Sequence, residues 1–268
     1  MMSFWRRPFR FWRVESFPDT YGVDREAIWH GLREAIERQR RSDDLVLLVA
    51  HFPATYFELQ DRLAQWQIAE TPLRPPIRAT ELPLRDQGLG ASEAAGRETP
   101  VVLVLAEMLD AERPAEVVDR RRSISIMAVE RHPLARHDRR LEQFARSVPT
   151  RTRLGFFVSL EDDQVGPFLG EWTGLLLQQL GMRPTDLITS DLISRRMLRI
   201  RERLDRLVRD EQPCESPREW LERHLQTGRH ATEVRNWLRR PTKMRRAAVE
   251  KTIDSEPIDE DDDDETTD

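Results

Sequence analysis

ERHPLARHDRRLEQFARSVPTRTRLGFFVSLEDD, residues Glu130 to Asp163, follows an apolar run, Ser123-Ile-Ser-Ile-Met-Ala-Val129, that predicts a buried strand. The quoted stretch passes through a charged, helix-compatible segment and ends in a second strand, Leu154-Gly-Phe-Phe-Val-Ser-Leu160. Strand, helix, strand is the unit from which parallel sheets are built. Upstream, LVLLVA (Leu45–Ala50) and VVLVLA (Val101–Ala106) are continuous apolar runs, the mark of strands covered on both faces. Helices fit between them. One spans Val23 to Arg41, with Asp24 as N-cap and Ile28, Leu32, Ala35 and Ile36 on one face. Pro53 opens another through Tyr56, Leu59, Leu63 and Trp66, and Pro114 a third through Val118. Ile77 to Leu84, broken by prolines, predicts a short edge strand. The fold class is therefore α/β: four strong strands and a fifth, in a doubly wound parallel sheet with helices on both faces.

Beyond Asp163 the pattern turns helical. Phe168, Trp172, Leu175 and Leu176 predict a helix stopped by Gly181, and a long helix is expected from about Thr185 through Leu207. Ser216-Pro217 caps another, ended by Gly228, and Ala231 to Glu250 predicts a last, arginine-rich helix. Four regions follow: an aromatic and basic arm at 1–22, an α/β domain at 23–165, a helical extension at 166–252 and an acidic tail at 253–268.

With 38% hydrophobic residues the chain can bury a real core, while 34% charged residues predict a surface dense in ion pairs. Cys214 is the single cysteine, which excludes a disulfide framework and any cysteine-rich zinc site. No run approaches the roughly 20 apolar residues that span a bilayer, and no signal-peptide core is present, so a cytoplasmic protein is expected. The net charge of −5 hides an asymmetry: ten acidic and no basic side chains lie between Asp254 and Asp268, and without them residues 1–253 carry +5.

The quoted stretch also carries a resemblance. Glu130-Arg131-His132, paired at an ungapped distance with Ser159-Leu160-Glu161-Asp162-Asp163, resembles the end of the second nucleotide-binding domain of the SecA preprotein translocase motors. Leu180-Gly181-Met182 and Asp191-Leu-Ile-Ser194 are similar to that family's LGM element and the start of its scaffold helix. The resemblance covers roughly residues 44 to 210 and is sharpest over 130–163. It implies a RecA-like, helicase-type parallel sheet. It also implies that Glu130, Arg131, His132, Arg136, Asp138 and Arg146 are the remnant of a nucleotide cleft at the end of a strand.

The departures decide the expected activity. Where the family writes QLRGRSGRQGD, this chain has Arg140-Leu-Glu-Gln-Phe-Ala-Arg-Ser-Val-Pro-Thr150, with Phe144 and Ser147 at the two phosphate-binding arginine positions. The family's glycine-rich GRGTD would fall near Asp110–Glu116, which has no glycine. Phenylalanine and serine cannot stabilise charge on a transferring phosphoryl group. The family's Walker motifs, which belong to its first nucleotide-binding domain, are not expected in the stretch before residue 44. A degenerate ATPase domain without catalytic residues or cofactor is expected.

Other sites read as follows. Glu130 and Arg131 can equally form local ion pairs that hold the strand–helix turn. His132, His137 and Asp138 lack the i,i+4 spacing of a helical zinc pair, so solvated helix charges are expected and no metal. Gly88, Gly90 and Gly96 form a surface loop, since no Gly-Lys-Ser/Thr follows. Arg235, Arg239, Arg240, Lys243, Arg245 and Arg246 form a basic patch suited to phosphate backbones or lipid headgroups, or simply to neutralising the acidic tail beside it. Residues 4–13 interleave aromatics with arginines, which suits an anionic membrane surface or docking onto the body of the protein. The expected function is a non-catalytic binding or adaptor module with a protein partner, in the translocation machinery or a full-length SecA, acting in the cytoplasm or at the inner face of the membrane. Two alternatives stand beside it: a nucleic-acid-associated protein, and a nucleotide-binding protein that needs a partner for hydrolysis.

Overall fold

The computed structural model describes residues 14–41, 45–79, 82, 101–111, 123–162, 183, 186–226 and 232. Residues 1–13 of the N-terminal arm, the glycine-bearing loop, the helices expected at 114–118, 168–180 and (Thr232 apart) 231–250, the basic patch and the acidic tail lie outside the described residues.

In chain order the elements are β1 (Glu15–Ser16), β2 (Thr20–Gly22), α1 (Arg25–Arg41), β3 (Leu45–Ala50), α2 (Pro53–Gln65), β4 (Ile77–Arg78), β5 (Val101–Leu105), β6 (Leu109–Asp110), β7 (Ser123–Ala128), α3 (Ala135–Ser147), β8 (Arg151–Ser159), β9 (Leu187–Thr189), α4 (Asp191–Leu207) and α5 (Pro217–Leu221). The main sheet runs β5-β3-β7-β8-β2-β9, with β1 also on β8. Every pairing in it is parallel except β2 with β9. The chain is thus α/β with a mostly parallel sheet. β4 and β6 form a separate parallel pair.

β3 reads as an unbroken apolar run because both of its faces are covered. Leu45, Leu47 and Val49 enter one core, with α3, α4 and α5. Val46, Leu48 and Ala50 enter the other, with α1 and α2. Burying one such side chain fully contributes about 1.5–3 kcal/mol, so the alternating residues of β3 anchor both layers. The register sets Leu47 between Val102 on β5 and Ile126 on β7. Part of the expected helical extension belongs to this sandwich: Ile193, Met197, Ile200 and Leu204 of α4, and Trp220 and Leu221 of α5, share a core with the sheet.

Two expectations need correction. The long helix does not begin near Thr185; Leu187–Thr189 instead form the antiparallel edge strand β9, and α4 starts at Asp191. Ser190 stops any earlier start by taking the N-cap, its hydroxyl accepting from Ile193 N. β9 is formed by antiparallel pairing with β2, and α1 packs close against it: a Cβ on Gly31 would stand 2.0 Å from Leu187 Cδ1. The other miss is β1 and β2, whose polar ESFPDTYG sequence has no strand period and is ordered by pairing with β8. Among the described residues, the starts of α1, α2 and α5 agree with the sequence. Asp24 Oδ1 accepts from Ala27 N at 2.7 Å, and Ser216 caps α5.

Candidate functional site

Strands β3 and β7 are neighbours, yet their chains leave in opposite directions. From β3 the chain crosses to β5 through α2 on one face; from β7 it crosses to β8 through α3 on the other. Such a reversal opens a crevice beyond the carboxyl ends of the strands, the position where open α/β sheets bind ligands. Here the crevice lies between His51-Phe52 and Glu130-Arg131-His132.

The chain fills that crevice with its own groups. Glu130 Oε1 accepts from the backbone N–H of His51 (2.9 Å) and Phe52 (3.1 Å), and Oε2 accepts from Thr55 Oγ1 at 2.8 Å. A carboxylate from the turn after β7 therefore caps α2, whose N-cap Phe52 has no capping side chain. The next donor, Ala54 N–H, is taken by the Glu215 carbonyl at 2.9 Å. Burial pushes the Glu130 carboxyl up to about 7, against the opposing pull of the Thr55 hydrogen bond and the Arg25 charge.

Beside this cap lies a second network, centred on Asp138. It is 3% exposed, so the expectation of solvated charges along α3 fails here. It shares the inward face of α3 with Leu141 and Ala145, and its charge survives there because guanidiniums surround it. Arg131 Nη1 donates to Oδ2 at 2.5 Å, Arg201 Nη2 donates to the same oxygen, and His51 Nε2 lies 3.1 Å from Oδ1. Burial alone would raise its pKa, but Arg201, His51 and Arg131 hold it far below the usual carboxylate range. Arg131 spans onward to Asp19, with Nε 2.9 Å from Oδ2, and lies 3.6 Å over the Phe156 ring. Tyr21 joins Asp19 to Ser194 of α4 by two contacts of 3.0 Å. Arg201 Nε donates to the His132 carbonyl at 2.7 Å. The network thus ties β2, β3, β7, α3 and α4 together.

A third group meets around Glu211, in the link between α4 and α5. Its carboxylate faces His137 Nε2 (2.6 Å), Arg136 Nη2 (2.9 Å), Trp220 Nε1 (2.9 Å) and His132 Nε2 (3.3 Å). Burial raises the Glu211 pKa, but these partners, His137 foremost, bring it down to about 2. Arg136 also donates to the Val208 carbonyl at 2.9 Å, so it fastens this link rather than facing an open cleft.

Among the described residues, His132, His137 and Glu211 are the group spaced for a cation, their ligand atoms lying within 4.8 Å of one another. Their protonation does not fit one. His132 Nδ1 accepts from Leu134 N–H at 3.1 Å, so the neutral ring carries its proton on Nε2, the atom that would have to ligate. Burial and the neighbouring His137 and His51 keep that ring neutral, far below the usual histidine range. Two imidazoles on one tetrahedral ion hold their centres about 5 Å apart, given Zn–N bonds of about 2.1 Å. These two stand 3.8 Å apart. The Arg136 guanidinium on the same carboxylate adds repulsion toward a cation.

Of the expected cleft residues, the structure brings together Glu130, Arg131, His132, Arg136 and Asp138. Arg146 lies at the other end of α3, exposed, 3.6 Å from Glu142. Phe144 is fully buried in the sheet-side core, and Ser147 Oγ donates to the Phe144 carbonyl at 2.7 Å. The sequence reading missed Asp19, His51, Arg201, Glu211 and Trp220. Only His51 carried a signal, its place at the carboxyl end of a predicted central strand.

No family model matches the chain. A curated relative, the protein translocase subunit SecA of Koribacter versatilis (strain Ellin345), is 36% identical over 90 residues, which make up 34% of this chain and 9% of the relative. The chain therefore matches about a tenth of that protein's length. A solved structure, the C-terminal part of the Fun30 ATPase domain, superposes with a TM-score of 0.32 at 11% identity, over 66% of this chain and 53% of that one. Among the described residues, no helix is long and apolar enough to cross a membrane.

Proposed function

We propose that this chain is a non-catalytic, SecA-related binding module that engages a protein partner of the translocation machinery, or a full-length SecA, at the cytoplasmic side of the membrane. The observation that carries this reading is the closed crevice. The α2 N-terminus, where an α/β nucleotide site would rest a phosphate, is already committed to the Glu130 carboxylate and the Glu215 carbonyl. A phosphate there would have to displace a buried carboxyl held by three hydrogen bonds. The α3 positions that matter for phosphoryl transfer agree with this, since Phe144 and Ser147 are buried and offer no cation. The 90-residue likeness to a translocase subunit supports the link to translocation.

Titration with ATP and with ADP in the presence of magnesium, followed by calorimetry and by phosphate release from the same sample, tests the claim. Neither binding heat nor phosphate is expected. Steady hydrolysis would overturn the non-catalytic reading. Tight binding without release would make the crevice a nucleotide sensor. A titration against purified full-length SecA then tests the partner, and no complex at micromolar concentration would remove that assignment.

A further inference from the structure

Four of the six histidines meet where the α4–α5 link and α5 close over the crevice. The His132 ring is 3.8 Å from His137, 5.6 Å from His51 and 5.8 Å from Trp220, and Trp220 lies 4.9 Å from His224. His132 also stacks on Phe52 at 5.1 Å. Residues 209–226 are fastened over this cluster by Glu211, by the Glu215 carbonyl on Ala54 N–H, and by buried Trp220, Leu221 and Leu225.

We propose that this imidazole cluster is a proton-operated latch: mild acid releases residues 209–226 from the sheet and bares the α2 N-terminus beneath them. The closed geometry has little room for added protons. At His132, Nδ1 is occupied by the Leu134 N–H and Nε2 faces Glu211, so a new proton must break the first contact. At His224, Nε2 accepts from Gln212 N at 3.4 Å, and a proton there ends that bond as well. A charged His132 would stand against two further imidazoles.

The surrounding charges are already matched. The residue before β2 is Asp19, the turn after β7 contributes Glu130 and Arg131, and α3 contributes Arg136, Asp138 and Arg139. α4 contributes Arg201 and Asp205, the link contributes Glu211, and Arg223 lies beside His224. Asp19, Asp138, Asp205 and Glu211 each already face an arginine, so positive charge added beside them meets mainly repulsion. Once the segment swings out, His51, His132 and His224 regain water and the ordinary imidazole affinity for protons near pH 6.5. This holds whether or not the crevice takes nucleotide.

Hydrogen exchange on the full chain at pH 7.5 and 5.5, with times scaled for intrinsic exchange, is the test. Opening of 209–226 and of the Ala54 amide is expected to rise about tenfold for each imidazole freed, while β3 and β7 keep their protection. His132→Asn, which keeps an acceptor for Leu134 N–H but cannot be protonated, should lose most of the response. His224→Gln, a milder change, should lose part of it. Equal opening at both pH values would overturn the latch, as would loss of protection across β3 and β7 together. A full response in both variants would overturn it too.

Discussion

The two faces of the sheet are covered by different physics. On the α1/α2 face, Ile28, Trp29, Leu32, Ile36, Leu59 and Leu63 press on Val46, Leu48 and Leu103, and the ions stay at the rim, where Arg25 bridges Glu58 and Asp162. On the α3/α4 face the apolar layer is as complete, but its upper edge holds Asp138, Arg131 and Arg201 away from water. Apolar contact is non-directional and tolerates small shifts. A buried ion network works only if every partner arrives, because a charge left alone costs more than the pair contributes. The first face needs a pattern and the second needs an assembly.

The sharpest way to break the comparison is Asp138→Ala, which leaves the buried Arg201 guanidinium facing the partly buried Arg131 without the carboxylate between them. A loss of about 3–5 kcal/mol is expected by urea denaturation. Leu32→Ala on the other face should cost a similar amount, about 2–5 kcal/mol, through its cavity. The two differ in rescue: adding Arg201→Met to Asp138→Ala should recover part of the loss. Simple additivity of the two changes would contradict the account.

Acid should tell the faces apart next. Burial depresses the pKa of His51 and His132 in the folded protein, while the unfolded chain takes up protons near 6.5. Stability should therefore fall as the pH drops below about 6.5, by about 1.4 kcal/mol per unit for each histidine. Glu130 works the other way. Raised to about 7, it lowers stability as the pH climbs from its unfolded value of about 4.5 towards 7. Glu130→Gln should thus steepen the net loss on acidification between pH 7 and 5, and an unchanged slope would count against its buried protonation. Glu211, held down to about 2, adds a loss of stability only below about pH 4.5.

Smaller effects sharpen the picture at the margins. Ser190→Ala removes the cap that separates β9 from α4 and should cost about 1 kcal/mol in thermal or urea unfolding. Arg146→Ala, at the exposed end of α3, should change stability by less than about 0.5 kcal/mol and leave the pH profile unaltered. A larger effect would place Arg146 in a contact that its position does not suggest.

Much of the sheet could be read from the chain, because LVLLVA and VVLVLA are apolar at every step, and only strands covered on both faces need that. The α1 and α2 starts were equally legible from Asp24 and Pro53. The short strands were not, since Thr20–Gly22 and Leu187–Thr189 have no period of their own and depend on a neighbour. The site was half legible. Glu130, Arg131, His132, Arg136 and Asp138 are close in sequence and close in space, whereas Asp19, Arg201 and Glu211 reach them from the far parts of the chain.

The sequence by itself determined the alternation of strand and helix and the α/β class, because periodicity records how each residue is buried. It also put an uncharged phenylalanine and an uncharged serine at 144 and 147. Only the tertiary structure decided that Asp138 is a buried hub rather than a solvated charge, that Glu130 caps a helix 75 residues earlier, and that α4 and α5 complete the sandwich. A charge states its need for a partner in the sequence, but which partner meets it depends on where long-range folding brings the chain back.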